Sequence, residues 1–230
     1  MASRRGNRIP PYRWNAGAGR YVDVATGRFI PKQAEVRALD ERIKAGIDQV
    51  QAVTAGMTRG VVTVAEWQTA VAVELRRMHT QAAALGRGGW QQMTPRDWGH
   101  VGRALRDEYA YLRGFAEALA SGTLSEAQIN ARVSQYVNGI WSRYWRGETS
   151  AMQGAGMTEE RRILTPAEHC KDCEGYAAQG WQPLGSLPEP GEGSACGHNC
   201  RCIKVYRALD GRMVDEWMTE YDVDFTGEVA

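Results

Sequence analysis

The sequence lacks any run of about 18 apolar residues, the length that a membrane-spanning helix needs. Residues 1–19 also lack the apolar core of a secretory signal peptide. We therefore expect a protein that is made in a cytoplasm and has no membrane partner. A chain of 230 residues, 43% hydrophobic and 24% charged, fits one folded domain with or without a small annex.

Sequence motifs of several enzyme classes are missing as well. The Gly-rich stretch at 191–197 is not followed by Gly-Lys-Ser/Thr, so it is not a phosphate-binding P-loop. No H-x-E or C-x-E triplet precedes a P-C-x-x-C motif, which excludes a nucleotide-deaminase zinc centre. His79 and His100 belong to no HExxH pattern and are interpreted as surface or hydrogen-bonded helix residues. We expect neither an enzyme nor a small-molecule substrate.

The net charge of +1 conceals an uneven distribution of charge along the chain. Residues 1–32 carry a net charge of +6, and residues 208–230 carry −6. Charged ends of this kind are commonly solvated or bind partners. The sequence predicts a basic extended N-terminal arm (1–32), a helical body (33–160), a Cys-rich zinc-binding annex (161–207) and an acidic C-terminal tail (208–230).

Four segments with the periodicity of amphipathic helices follow Pro31. The second is predicted to begin with a capping box formed by Thr63 and Glu66, and the third to begin at Thr94. The fourth is predicted to start at Thr123, and its Trp- and Tyr-rich face at 136–145 is interpreted as core or subunit interface. The fold class is therefore mainly α, an antiparallel helical bundle or set of hairpins with short Gly-rich turns.

The character of the sequence changes after about residue 160, where hydrophobic periodicity ends. Residues 161–165 and 202–207 favour short β-strands, and a Gly- and Pro-rich segment at 180–194 separates them. The charged residues Glu159, Glu160, Arg161 and Arg162 are interpreted as a solvated helix end. A loop-rich annex of this kind needs a restraint other than a large apolar core.

All five cysteines lie between residues 170 and 202. They form two groups, Cys-x2-Cys and Cys-x3-Cys-x-Cys, separated by 22 residues. Two closely spaced pairs are typical of a tetrahedral structural zinc site, which has no open position for a substrate. The predicted ligands are Cys170, Cys173, Cys196 and Cys200, with Cys202 or His198 as the alternative fourth ligand and His169 in reserve. Free thiols without metal and disulfides in an oxidising medium are the competing interpretations.

The stretches EERRILTPAEHCKDC and GWQPLGSLPEPGEGSACGHNCRC resemble the C-terminal zinc-like motif of phage head-morphogenesis proteins, the Mu F-like minor head proteins. That motif combines a long helix, a CxxC pair, a Gly/Pro-rich loop and a final NCRC followed by a strand. Many relatives have a histidine three residues before the first Cys of CRC. Gly197 occupies that position here, which favours Cys196 as the replacing ligand.

The resemblance implies a minor capsid protein of the virion, located in the capsid interior near the portal vertex and assembled in the host cytoplasm. It implies a role in head assembly, genome packaging or DNA delivery, with portal and major capsid or scaffold proteins as partners. The basic arm would then contact phage DNA or an acidic protein surface. The alternative hypothesis is a zinc-containing nucleic-acid-binding protein that uses the basic N-terminal arm.

Overall fold

The computed structural model is mainly helical, with a few short antiparallel strands, as the sequence predicts. None of the helices that it describes is both long and apolar enough to cross a bilayer. Residues 1–11, His198 and most of the acidic tail lie outside the described part of the chain. The structure describes residues 12–125, 127–129, 131–133, 139–197, 200–211 and 213–214.

Four long helices form the described part of the helical body. They are α1 (Lys32–Thr58), α2 (Val64–Arg87), α3 (Pro95–Ala120) and α4 (Ile140–Gly154), with a short 3-10 helix at Trp90–Gln92. Helix α2 packs against each of the other three. Its side chains Trp67, Val71 and Leu75 have no exposed surface. Because one helix contacts all the others, α2 is the centre of the hydrophobic core.

The predicted helix starts are confirmed at two places. The Thr63 hydroxyl accepts a hydrogen bond from the Glu66 N–H, and the Glu66 carboxylate accepts one from the Thr63 N–H at 2.9 Å. Thr94 and Asp97 form the same reciprocal pair at the start of α3. Helix α2 ends at Gly88, whose φ of 96° favours glycine. These caps satisfy backbone N–H groups that the helices leave unpaired.

The predicted fourth helix is described in part. Residues 127–129 and 131–133 are helical, and α4 covers its later section. Positions 136 and 137 lie outside the described residues. The buried apolar side chains of this region are Ile129, Val133, Ile140, Tyr144 and Trp145. The described part of the aromatic face is therefore core.

Helices α2 and α4 approach each other through two glycines. A Cβ atom on Gly86 would overlap the carbonyl oxygen of Tyr144, and one on Gly147 would lie 2.5 Å from the carbonyl oxygen of Ala83. Contacts this short leave no space for a side chain at either position. The absence of a side chain is thus what allows the two backbones to pack together.

The described part of the predicted N-terminal arm is a β-hairpin that packs on the helices, and the prediction of an extended arm is wrong there. Strand β1 (Tyr12–Asn15) pairs antiparallel with β2 (Arg20–Asp23). Tyr21 is buried, and its hydroxyl donates a hydrogen bond to the carbonyl of Leu85 on α2 at 2.7 Å. The aromatic side chains of this segment add to the core, which a solvated arm would leave in water.

The C-terminal region contains a small antiparallel sheet in the order β4-β3-β5-β6. Its strands are β3 (Glu159–Ile163), β4 (Gln182–Pro183), β5 (Ile203–Arg207) and β6 (Met213–Val214). The central pair, β3 and β5, overlaps the two segments predicted to favour β-structure, but β3 begins two residues before the predicted segment. The predicted border between body and annex at residues 160 and 161 falls inside β3.

The interpretation of residues 159–162 as a solvated helix end is wrong. These residues belong to β3, where alternate side chains point to opposite faces of the sheet. Glu160 and Arg162 have no exposed surface. The Lys204 ammonium lies 2.7 Å from the Glu160 carboxylate, which explains how this charge is tolerated inside the protein.

Candidate metal centre

Three short structural elements bring the five cysteines together. Cys170 is the N-cap of helix α5 (Lys171–Ala178), and Cys173 lies one turn later, fully buried. Residues three apart on a helix share a face, so this turn directs both sulfurs to one side. Cys196 and Cys200 lie in the loop that leads to β5, and Cys202 directly precedes that strand.

The sulfur atoms form two overlapping groups of three. The Sγ atoms of Cys170, Cys173 and Cys196 all lie within 4.8 Å of one another. Those of Cys173, Cys200 and Cys202 do the same. Cys173 belongs to both groups, and its Sγ lies 3.5 Å from that of Cys196 and 3.7 Å from that of Cys200. All five cysteines are free thiols, so no disulfide accounts for this proximity.

The sulfur separations fit a shared metal ion. In a tetrahedral zinc–thiolate site with Zn–S bonds of ~2.3 Å, neighbouring sulfurs lie about 3.8 Å apart. The two short separations from Cys173 are close to that value. The cluster therefore has the donor atoms and the spacing to hold a metal ion.

The structure brings the four predicted ligands into one cluster and adds Cys202 to it. Cys170 and Cys196 belong to one group of three, Cys200 and Cys202 belong to the other, and Cys173 joins them. The structure thus places Cys200 and Cys202 alike near the shared sulfur. The predicted alternative His198 lies outside the described residues.

His169 lies closer to the centre than its status as a reserve ligand suggests. Its Nδ1 atom is 3.5 Å from the Cys202 Sγ, and its Nε2 atom is 2.8 Å from the carbonyl oxygen of Thr165. A carbonyl that accepts from one ring nitrogen leaves the other nitrogen with a free lone pair. The sequence signal that pointed to His169 was its position directly before Cys170.

Hydrogen bonds and burial shift the pKa values of the clustered thiols in different directions. A hydrogen bond from the Cys202 thiol lowers the pKa of Cys200 to about 4, and the same contact raises the pKa of Cys202. Backbone N–H groups of Cys173 and Cys196 lower the pKa of Cys170 to about 7. Burial raises the pKa of Cys173 to about 12. Thiolates are the metal-binding form, and a bound metal displaces the remaining thiol protons.

The Gly/Pro-rich loop between the cysteine groups is held at several points. The Ala195 N–H donates to the Asp172 carboxylate at 2.7 Å, and the Tyr176 hydroxyl donates to the carbonyl of Gly193 at 2.7 Å. Asp172 and Tyr176 both lie on α5. Helix α5 therefore positions the loop as well as two of the sulfurs.

Two arginines of α4 attach the same loop to the helical body. The Glu192 carboxylate accepts from Arg143 at 2.8 Å and from Arg146 at 3.1 Å. Both arginines therefore contact a carboxylate of the annex. The loop between the cysteine groups is thus linked to α4.

A network of buried charges joins the sheet to the body, and sequence reasoning missed it. The Lys204 ammonium lies between the carboxylates of Glu160 and Glu189, at 2.7 and 3.1 Å. Lys32 at the start of α1 contacts Glu35 at 3.1 Å and also Glu148. Burial raises the pKa values of Glu35 and Glu189, whereas the neighbouring lysines oppose that shift.

Two tyrosines extend this network of buried charges. The Tyr144 hydroxyl donates to Glu35 at 3.0 Å, and the Tyr206 hydroxyl donates to Glu148 at 3.1 Å. Tyr206 lies on β5, immediately after the cysteine group, whereas its partner lies on α4. Polar groups that are fully paired inside a protein specify one arrangement of the elements that carry them. The network therefore fixes the annex on the body.

His79 differs from its interpretation as a surface or hydrogen-bonded residue. Only 1% of its surface is exposed, and neither ring nitrogen has a hydrogen-bond partner among the residues that the structure describes. Burial, together with the positive charge of Arg143, lowers the pKa of His79 to about 4. His100 on α3 is partly exposed. Its pKa is also lowered, mainly by partial burial and then by the positive charge of nearby arginines.

Comparisons with protein-family models, with curated proteins and with solved structures give no match for this chain. The resemblance to phage head-morphogenesis proteins accordingly stays a prediction.

Proposed function

We propose that this protein is a structural and interaction component of a bacteriophage head, a minor capsid protein whose C-terminal annex is stapled by zinc. The resemblance of the cysteine region to Mu F-like minor head proteins suggests the biological setting. The proposed role is in head assembly, genome packaging or DNA delivery near the portal.

The convergence of five free thiols in the segment that carries the resemblance supports this proposal most strongly. Thiolate donors at tetrahedral spacing prefer zinc among the abundant divalent ions. When bound, zinc would supply a cross-link between α5 and the segment before β5. Glu192 and the buried charges would hold the cross-linked annex against the helical body.

Metal analysis tests the staple. Protein purified without added metal is expected to contain zinc, and a strong chelator is expected to expose the thiols to alkylation and to unfold the annex. A zinc-free protein whose annex resists proteolysis as well as the metal-loaded protein does would contradict the proposal.

Phage genetics tests the biological role. Particles made without this protein are expected to assemble poorly or to deliver DNA inefficiently, and the protein is expected to co-purify with portals and capsids. A normal titre after deletion, together with absence of the protein from purified heads, would refute the assignment. The zinc result is independent of this one, so the two parts of the proposal can fail separately.

Nucleic-acid binding is the second candidate, because residues 1–32 carry a net charge of +6. Affinity for duplex DNA that falls steeply with salt, and that disappears when residues 1–11 are removed, would favour it. The cut at residue 11 leaves the hairpin intact, whose Tyr21 is part of the core. Binding that is indifferent to salt and to this truncation would eliminate it.

A further inference from the structure

We infer that the end of the acidic tail, residues 215–230, docks within its own chain on a basic face at the start of α3. The basic face consists of Arg96, His100 and Arg103 of α3 together with Arg146 of α4. This docking is independent of the proposed zinc site and of the proposed phage role, because it uses neither the cysteines nor a phage partner.

The basic face is a continuous surface. Arg96, His100 and Arg103 are spaced by four and three residues, so their side chains lie on one side of the helix. Arg96 and Arg103 are exposed, and neither forms an ion pair with any other described residue. Arg146 lines the same cleft as His100 and keeps 39% of its side chain exposed, although it also contacts Glu192. The face therefore offers three arginines to a negatively charged partner.

The other margin of the exposed side of α3 carries tryptophan. The rings of Trp90 and Trp98 stack with their centroids 5.8 Å apart, and the two residues are 42% and 43% exposed. Gly102 lies one turn after Trp98, and a Cβ atom on it would meet no described atom within 4 Å. The tryptophans thus stand beside open space that admits another large side chain. Exposed tryptophans are among the residues that most often anchor an interface between protein segments.

The tail end has the complementary pattern. Residues 215–230 include six acidic residues and neither lysine nor arginine. An acidic residue directly precedes an aromatic residue three times, at intervals of four residues. The three pairs are Glu216-Trp217, Glu220-Tyr221 and Asp224-Phe225. In a helix, this spacing aligns the acidic side chains in one row and the aromatic side chains in the next. The acidic row suits the arginines of the basic face, and the aromatic row suits Trp98.

The tail end begins within reach of this surface. Strand β6 places Val214 opposite Tyr206 in the sheet. The Tyr206 hydroxyl bonds to Glu148 of α4, which lies two residues after Arg146. Residues 215–230 can extend about 50 Å at ~3.3 Å per residue. The segment is therefore long enough to run from the sheet past α4 and along the start of α3.

A tethered segment has an advantage over any dissolved partner. A short connection gives it an effective concentration on the order of 1 mM at a surface within reach. Duplex DNA would present phosphates to the arginines but leave Trp98 unused, whereas the tail end matches both margins of the exposed side of α3. The surface therefore suits the chain's own tail end better than DNA or a second copy of the chain.

Fluorine NMR of the full chain labelled with 5-fluorotryptophan tests the docking, since each of the eight tryptophans gives its own signal. The substitutions Trp98→Phe and Trp217→Phe assign the two signals of interest. In the natural sequence, the Trp217 signal is expected to differ from that of a synthetic peptide of residues 215–230. The double variant Arg96→Glu/Arg103→Glu is expected to return it to the peptide value, because like charges repel the tail end.

The matched control is Arg76→Glu/Arg113→Glu, which makes the same change of charge at exposed sites on α2 and α3. It is expected to keep the Trp217 signal of the natural sequence. Dilution of the natural sequence is also expected to leave this signal unchanged, because the contact forms within one chain.

A variant of the tail end tests the same contact without altering the helices. The substitutions remove the acidic row, and they are Glu216→Gln, Glu220→Gln and Asp224→Asn. The Trp98 signal is expected to change in this variant, because the tail end no longer holds its place beside that ring.

Each outcome decides the question. A Trp217 signal that is identical in the natural sequence and in the peptide overturns the docking. A displaced signal that persists in Arg96→Glu/Arg103→Glu refutes the basic face as its site. A signal that reverts to the peptide value on dilution shows docking between two copies and overturns the assignment within one chain. A Trp98 signal that responds to added duplex DNA but not to the variant of the tail end assigns the surface to nucleic acid instead.

Discussion

His79 gives the sharpest test of the helical body, because burial separates its titration from that of an ordinary histidine. Its pKa lies near 4 in the folded protein and near 6.5 when the chain unfolds. The folded state therefore holds the neutral ring, and the unfolded state binds the proton first as the pH falls. Stability from this source is fully present above pH 6.5 and is lost progressively as the pH falls toward 4.

The size of the effect follows from the two pKa values of His79. At ~1.36 kcal/mol per pH unit, the full loss is about 3.4 kcal/mol, and about 2 kcal/mol is already lost at pH ~5. The substitution His79→Leu removes the titrating group and keeps an apolar side chain in the core. We expect its free energy of unfolding to depend on pH less than that of the natural sequence, by about 2 kcal/mol between pH ~7.5 and ~5.

Urea unfolding followed by far-UV circular dichroism at the two pH values measures this difference. His100→Leu is the control, because His100 is partly exposed and its removal is expected to change the pH dependence less. If the natural sequence and His79→Leu lose stability in parallel as the pH falls, then His79 is not buried in its neutral form and the reasoning is wrong. Equal behaviour of the two histidine variants would have the same meaning.

Three further predictions use the packing and the annex. Glu160→Ala leaves its buried lysine partner short of one carboxylate and is expected to cost about 3–5 kcal/mol in thermal or urea unfolding. Glu159→Ala, at a partly exposed ion pair, should cost a small fraction of that. Gly86→Ala is expected to destabilise the protein by about 1–3 kcal/mol, because its methyl group meets the α4 backbone. Gly99 on α3 faces open space, so Gly99→Ala should stabilise the protein by about 0.5–1 kcal/mol. Equal effects of the two substitutions on the free energy of unfolding would refute the close contact at Gly86. Cys170→Ser is expected to make the annex sensitive to protease, while most of the helical circular dichroism signal persists. A cooperative loss of the whole helical signal would contradict this prediction and show that annex and body unfold as one unit.

The features that could be predicted from the sequence are those that neighbouring residues determine. The caps at Thr63 and Thr94 follow from side chains three residues apart, and the helix faces follow from spacing within one segment. The cysteine cluster was predictable for a related reason, because each half of it is a short chelating spacing. Local chemistry of this kind does not depend on the rest of the fold.

The features that could not be predicted depend on partners far along the chain. The burial of Glu160 requires Lys204, which is 44 residues away and arrives with a different strand. The burial of Tyr21 likewise requires the end of α2, and no spacing within the N-terminal segment signals it. The charged residues 159–162 were therefore interpreted as solvated, although the fold gives Glu160 a distant partner.

The order of the strands has a consequence for how the chain is synthesised. Strand β3 follows α4 directly, but its central partner β5 begins 40 residues later, beyond the cysteine loop. During translation, the edge of β3 that pairs with β5 therefore stays unpaired until the last cysteines have left the ribosome. Unpaired strand edges favour association between chains. If zinc binds the cysteine cluster as proposed, we expect newly made protein to aggregate in cells that are short of zinc, even though its helices have already formed.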